Sequence, residues 1–107
     1  MALTPVLTSA TSGLRAASIR VNSAADNIVN INTPGFEAGT VVQRTVRSGG
    51  NPGGGSAVYA QVVGSGLAPD LGEEIARLIE AETVYRTNAE VLSTASKLSR
   101  ETLDVLG

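Results

Sequence analysis

The 107-residue chain has no cysteine, no histidine and no tryptophan, and only two tyrosines and one phenylalanine. Without Cys it forms no disulfide and offers no thiolate as nucleophile or ligand. Without His it lacks the usual general base and the commonest metal ligand. So few aromatic side chains leave little with which to line a ligand pocket. No apolar run approaches the roughly eighteen residues that suggest a membrane-spanning helix. The N-terminus has no basic stretch followed by a continuous apolar one, so no cleaved signal peptide is expected. Ten acidic and eight basic residues give a formal charge of -2. The basic residues are scattered singly from Arg15 to Arg100, which argues against a nucleic-acid footprint.

What is present is heptad spacing at both ends. Thr4 reads as an N-cap and Pro5 as the first helical residue. Leu7, Leu14, Val21 and Ile28 then fall seven apart, with Ala10, Ala17, Ala24 and Ile31 three behind each. That is an a/d seam over four repeats. Its alanines allow close helix approach while contributing little apolar area each. Ser, Asn and Gly within the same stretch lower its intrinsic helicity. Asn27 and Asn30 sit beside the seam near its end. They read either as fraying before a turn or as cross-helix hydrogen bonds that fix register. Asn30, Asn32, Thr33, Pro34 and Gly35 stop the helix, and Pro34-Gly35 suits the centre of a type II turn.

The middle changes character. Phe36–Val46 is rich in β-branched residues, and Ala57–Val63 reads as a second short strand. Between them, Ser48–Ser56 contains five glycines and a proline and reads as a mobile loop. It lacks the spacing and lysine of a phosphate-binding loop. Asp70 opens the second helix, with Glu73 completing a capping box. Leu71, Leu78, Tyr85, Leu92, Ser99 and Leu106 form one seam column; Ile75, Glu82, Ala89, Ser96 and Leu103 form the other. A carboxylate on a buried seam is costly unless paired, so Glu82 is expected to be paired or half-exposed. Glu73–Arg77, Glu82–Arg86, Lys97–Glu101 and Arg100–Asp104 have the i,i+4 spacing of helix-supporting ion pairs. The helices should be about 40–55 Å long.

The expected fold is therefore all-α: two long terminal helices, packed as an antiparallel or intermolecular coiled coil. A flexible linker joins them, with at most a short β-hairpin. A single domain spans 1–107, with helices at 5–31 and 70–105 and the turn, β-prone segment and loop at 32–69. No constellation of side chains suggests catalysis, a metal or a cofactor. Glu80 and Glu82, two apart on a helix, do not face each other.

Two stretches carry a resemblance. Ser12-Gly13-Leu14-Arg15-Ala16-Ala17, then Val21, then Ala25-Asp26-Asn27-Ile28-Val29-Asn30-Ile31-Asn32-Thr33-Pro34-Gly35-Phe36 resembles the N-terminal signature of the bacterial flagellar rod and hook proteins. Val29 stands where that family usually has Ala. Glu73-Glu74-Ile75 through Ile79, Glu80 and Ala81, then Tyr85-Arg86, Asn88-Ala89, Val91-Leu92 and Thr94-Ala95, is similar to the family's second signature. The resemblance implies a structural subunit of the flagellar basal-body rod that is not an enzyme. It implies export by the flagellar type III apparatus without a cleaved signal peptide. Its partners would be copies of itself and other rod and hook subunits, in a rod that spans the periplasm. The short middle is similar to that of proximal rod proteins, whereas Pro34-Gly35-Phe36 is closer to distal rod and hook relatives. The implied assembly interface comprises Leu7, Leu14, Val21, Asn27, Ile28, Asn30, Asn32, Gly35 and Phe36 in the first half. In the second half it comprises Ile75, Leu78, Tyr85, Asn88 and Leu92. The reading from another class is a cytosolic coiled-coil adaptor or export regulator.

The small seam residues and helix-weakening polar residues of the first segment generate a direct expectation. A synthetic peptide of residues 5–31 should be mostly unfolded by circular dichroism in buffer and should gain helix on addition of a 70–105 peptide. A fully helical peptide alone would contradict the reading.

Overall fold

The computed structural model describes residues 3–47 and 56–106. The elements run α1 (Leu3–Val29), β1 (Gly39–Arg47), β2 (Ser56–Gly64) and α2 (Leu71–Leu106). The glycine-rich segment expected to be a mobile tip falls at 48–55 and lies outside the described residues.

Helix α1 starts at Leu3, so Thr4 lies inside the helix rather than capping it. Pro5 remains in the first turn, where a missing N–H leaves no intrahelical bond unmade. At its other end, Asn30 N–H still reaches Asp26 O at 3.1 Å, and Ile31 N–H then tightens onto Ile28 O at 3.3 Å. Asn30 closes this end with its side chain: Nδ2 donates to Asp26 O at 2.9 Å, and Oδ1 accepts from Thr33 Oγ1 at 3.1 Å. The reversal follows at Thr33–Phe36. Phe36 N–H donates to Thr33 O at 3.2 Å, and Gly35 takes φ of 75°. A left-handed residue at the third position is what a type II turn requires, so Pro34-Gly35 fits it.

The strands are nine residues each and pair antiparallel from Gly39↔Gly64 to Arg47↔Ser56. They are longer than the short strands expected of a linker. The base of the hairpin is closed by Ala38 N–H to Leu67 O at 2.8 Å and Ser65 N–H to Ala38 O at 3.0 Å. Glu37 also accepts the N–H of Gly66, which takes φ of 76°. Two strands alone are marginally stable. Here α1 supplies the missing support, and polar side chains make the joint.

Asn27, 1 % exposed, presents its carboxamide to Gly39 as another strand would. Nδ2 donates to Gly39 O, and Gly39 N–H donates to Oδ1, both at 2.9 Å. Nearer the tip, Ser12 Oγ accepts the Val58 N–H at 2.9 Å and Ser9 Oγ donates to Ser56 O. These backbone groups belong to outward-pointing pairs of the ladder, Gly39 on β1 and Ser56 and Val58 on β2. The hairpin thus crosses α1 obliquely, held by one edge at its base and by the other towards its tip.

Helix α2 is capped by Asp70: Gly72 N–H donates to Asp70 Oδ1 at 3.0 Å and Glu74 N–H to Asp70 O at 2.9 Å. The expected capping box is incomplete, because the Glu73 carboxylate turns to Arg77 at 2.8 Å instead. Glu82–Arg86 also forms, at 2.7 Å. Among the described residues, Lys97–Glu101 and Arg100–Asp104 do not.

The two helices pair within the subunit and run antiparallel. Arg20 reaches Glu80 at 2.9 Å, and Gly13 lies beneath Asn88. Helix α1 is flanked by α2 on one side and by the hairpin on the other. The result measures 62 × 28 × 14 Å. Helix α2 and the hairpin each pack against α1 and not against one another, so the elements lie side by side in a single-layer slab.

The Asn27–Gly39 pair generates a test. Asn27→Ala should lower unfolding free energy by about 2–3 kcal/mol, because two buried hydrogen bonds go and the Gly39 groups are left unpaired. Asn27→Asp should also destabilise, since its carboxylate faces the Gly39 carbonyl. Urea denaturation at fixed concentration measures both, and wild-type midpoints in both would show that Asn27 does not hold the hairpin.

Candidate functional site

A slab this thin has two broad faces and almost no interior. The buried apolar residues are Ala10, Ala16, Ala17, Ala24, Ala38, Ala81 and Ala95, all alanine. Every larger described aliphatic residue is half-exposed or exposed. Domains ordinarily bury their apolar stripes between packed layers. Among the described residues no second layer covers those stripes, which makes the faces flanking the α1–α2 seam the candidate assembly surface.

The seam on α1 follows the expected columns. Ala10, Ala17 and Ala24 are buried and Leu7, Leu14, Val21 and Ile28 are half-buried. The seam on α2 differs in one column. Leu78 and Leu92 face inward as expected, but the second column is Glu74, Ala81, Asn88 and Ala95, one residue before the expected one. Ile75 and Glu82 consequently face solvent, the latter with its expected partner Arg86. The physical reason is fit. In the middle of the seam Ala81 is small enough for the close approach where Glu82 is not, while at its end Glu74 enters beside a groove that has room for it. Gly13 marks the closest approach: a Cβ there would fall 2.7 Å from Asn88 Nδ2. Asn88 is held in place by its own bond to Val84 O at 3.1 Å.

Several of the expected interface residues are brought together. Leu14, Tyr85 and Leu92 line one apolar trough on the seam, with Ala89 and Ser96 between them. Leu7, Val21, Ile28 and Leu78 lie half-buried along the same seam, and Asn88 covers Gly13. Ile75 lies one column outside. Asn27 is turned inward to the hairpin, which neither reading of it anticipated, and Asn30 is spent on closing α1. Asn32 and Gly35 are exposed and Phe36 is half-buried at the reversal, away from the trough.

Sequence reasoning missed the hairpin-binding face of α1. Ser9, Ser12, Ala16, Ile19, Ser23 and Asn27 recur at three- and four-residue spacing, which places them on one face. That regularity of small and polar residues was the available signal. It also missed Glu74, only 2 % exposed. Its Oε1 meets Arg77 at 3.0 Å, while Oε2 is buried without a partner among the described residues. Glu74 lines a groove of about 280 Å³ whose floor is α1 at Arg20, Ser23 and Ala24, with walls formed by β1 and α2. Among the described residues, no group of three or more metal-ligating side chains converges, and no helix is long and apolar enough to cross a membrane.

Residues 7–36 match the flagella basal body rod protein family. The matched stretch covers most of α1 and the turn as far as Phe36, and stops short of the hairpin and α2. No curated protein matches the chain. The match relates this segment to a family of structural proteins, in keeping with a non-enzymatic chain and with the elongated helical fold.

The contact at Gly13 generates a prediction of unusual sign. An exposed helical Gly→Ala change ordinarily stabilises by about 1 kcal/mol. Gly13→Ala should instead destabilise by about 1–2 kcal/mol, because the seam is overpacked against Asn88. Adding Asn88→Ala should restore most of the loss. Thermal melts of the single and double variants measure this; a more stable Gly13→Ala chain would contradict the close approach.

Proposed function

We propose that the chain is a structural, non-catalytic subunit of the bacterial flagellar basal-body rod. The observation that carries this reading is a coincidence. The segment matching the rod family is the helix whose seam, with α2, leaves both broad faces of a one-layer slab in need of cover. In this reading the partners are copies of the same chain and other rod and hook subunits. Neighbouring copies supply the layer the monomer lacks, and the trough at Leu14, Tyr85 and Leu92 is part of what they cover. Export runs through the flagellar type III apparatus without a cleaved signal peptide, and the assembled protein stands in the rod where it crosses the periplasm. The hairpin lies outside the helical seam and is short, as suits a subunit with a small outer domain.

Leu14→Ala and Leu92→Ala test the reading. Both side chains are only half-buried in the isolated chain. Each truncation should therefore cost the monomer about 1 kcal/mol or less, from area that is partly solvated already. Covered by a neighbour, the same side chains approach full burial, where truncation costs about 2–5 kcal/mol at every repeat. Swimming and the amount of this protein in purified hook–basal bodies should both fall sharply, with export unaffected. Normal rods and normal swimming in both variants, with the protein in the soluble fraction, would favour a cytosolic coiled-coil adaptor instead.

A further inference from the structure

A two-stranded ladder leaves half of its backbone hydrogen-bonding groups pointing outward. In β1 the outward residues alternate from Gly39, whose N–H and C=O are both taken by Asn27, through Val41, Gln43 and Thr45. On the other edge, β2 gives Ser56 O to Ser9 and the Val58 N–H to Ser12. Among the described residues, the outward N–H and C=O of Val41, Gln43 and Thr45 make no hydrogen bond. Proteins ordinarily blunt such an edge with proline, a bulge or an outward charge. This stretch of β1 has neither proline nor bulge. Its one charge between Thr40 and Val46 is Arg44, which lies over the Tyr59 ring at 5.2 Å, across on β2 and away from the outer edge.

The open edge borders a slot. Val41 and Gln43 line the groove of about 280 Å³ whose far wall is α2, and β1 and α2 do not pack against each other. An added strand rises about 3.4 Å per residue, lies about 4.8 Å from its neighbour and fills a layer about 10 Å deep, or roughly 160 Å³ per residue. The groove therefore takes about two residues of extended chain, beside the edge residues that line it. At that volume, side chains directed at the α1 floor have to be small. The two walls match the two edges of a peptide backbone. β1 offers N–H and C=O groups in alternation. On α2, the carboxylates of Glu74 and Glu80 stand on either side of the Arg77 guanidinium, with Arg20 beneath. Glu74 Oε2 has no donor among the described residues, so that wall keeps acceptor capacity.

We propose that β1 is a docking edge for a partner protein, which adds an extended segment as a third strand between β1 and α2. The segment pairs with Val41, Gln43 and Thr45 and turns its other edge to Arg77 and the flanking carboxylates. It carries Gly, Ala or Ser at the alternate positions that face α1. Asn27 already makes this kind of contact at Gly39, and the partner strand continues it toward the hairpin tip. The contact is with a different protein and needs no assembly of copies, so it is tested apart from the rod reading.

Amide exchange on the isotope-labelled full chain tests it, with a capped octapeptide of alternating threonine and alanine as the probe. Without peptide, the Val41, Gln43 and Thr45 amides should exchange fast, and those of Val42 and Arg44, which pair with β2, slowly. Saturating peptide should slow the first three roughly tenfold or more. Gln43→Pro removes one outward N–H without touching a ladder bond and should abolish the peptide effect. Gln43→Ser keeps that N–H and should retain it. Thr45→Pro makes the same change one outward pair nearer the tip, and serves if circular dichroism shows that Gln43→Pro misfolds. The proposal is overturned by unprotected amides at several millimolar peptide, by protection on α1 or β2 instead, or by equal peptide binding in a folded proline variant. Protection of the same amides that grows with protein concentration in the absence of peptide would assign the edge to a second copy and overturn the choice of occupant.

Discussion

Alanine-on-alanine contact between α1 and α2 is the constraint on which the rest of the molecule depends. The two helices come together closely enough that a Cβ at Gly13 would meet Asn88, and the buried apolar residues of the inward columns are Ala10, Ala17, Ala24, Ala81 and Ala95. A seam of this kind is geometrically specific, but each methyl contributes about 0.8 kcal/mol at most when it leaves water. The larger apolar side chains along the seam, Leu7, Leu14, Val21, Leu78 and Leu92, are only half-buried and remain partly open to solvent at its edges. The thinness of the chain and its apolar faces are two consequences of one packing choice.

The same thinness explains why polar side chains carry so much of the tertiary structure. A two-stranded hairpin has no core of its own. It is fastened to α1 by Asn27, Ser9 and Ser12, each satisfying backbone groups that the two-strand ladder leaves pointing outward. Gly39 is required at the base because a Cβ there would fall 2.9 Å from Val62 Cγ1 and 3.3 Å from Ser23 Oγ. Directional hydrogen bonds set the position of the hairpin on the helix. The apolar area that would normally stabilise such a joint is held back on the broad faces.

Much of this was legible in the residues. Leu7, Leu14, Val21 and Ile28 with their trailing alanines mark α1 and its seam, and Pro34-Gly35 marks the turn. The one-residue displacement on α2 was not legible. Sequence favours the larger apolar column through Ile75, whereas the folded chain turns the adjacent column inward, with Ala81 and Ala95 fitting the close approach to α1 and Glu74 and Asn88 completing it. Asn27 misled for a related reason. Within a heptad a polar residue reads as fraying or as a cross-helix contact, and its true partner, the backbone of Gly39, is invisible until the hairpin folds back. The antiparallel pairing within one subunit likewise depended on how the reversal at Thr33–Phe36 and the hairpin together return the chain.

The central claim is that this fold is completed by its neighbours. Urea unfolding followed by circular dichroism, across a protein concentration series spanning about three decades, addresses it directly, because a fold that gains stability from association has a midpoint that depends on concentration. The account predicts frayed, weakly stable helices at the lowest concentration and a midpoint that climbs steadily as concentration rises. Fully formed helices with one concentration-independent midpoint would contradict it.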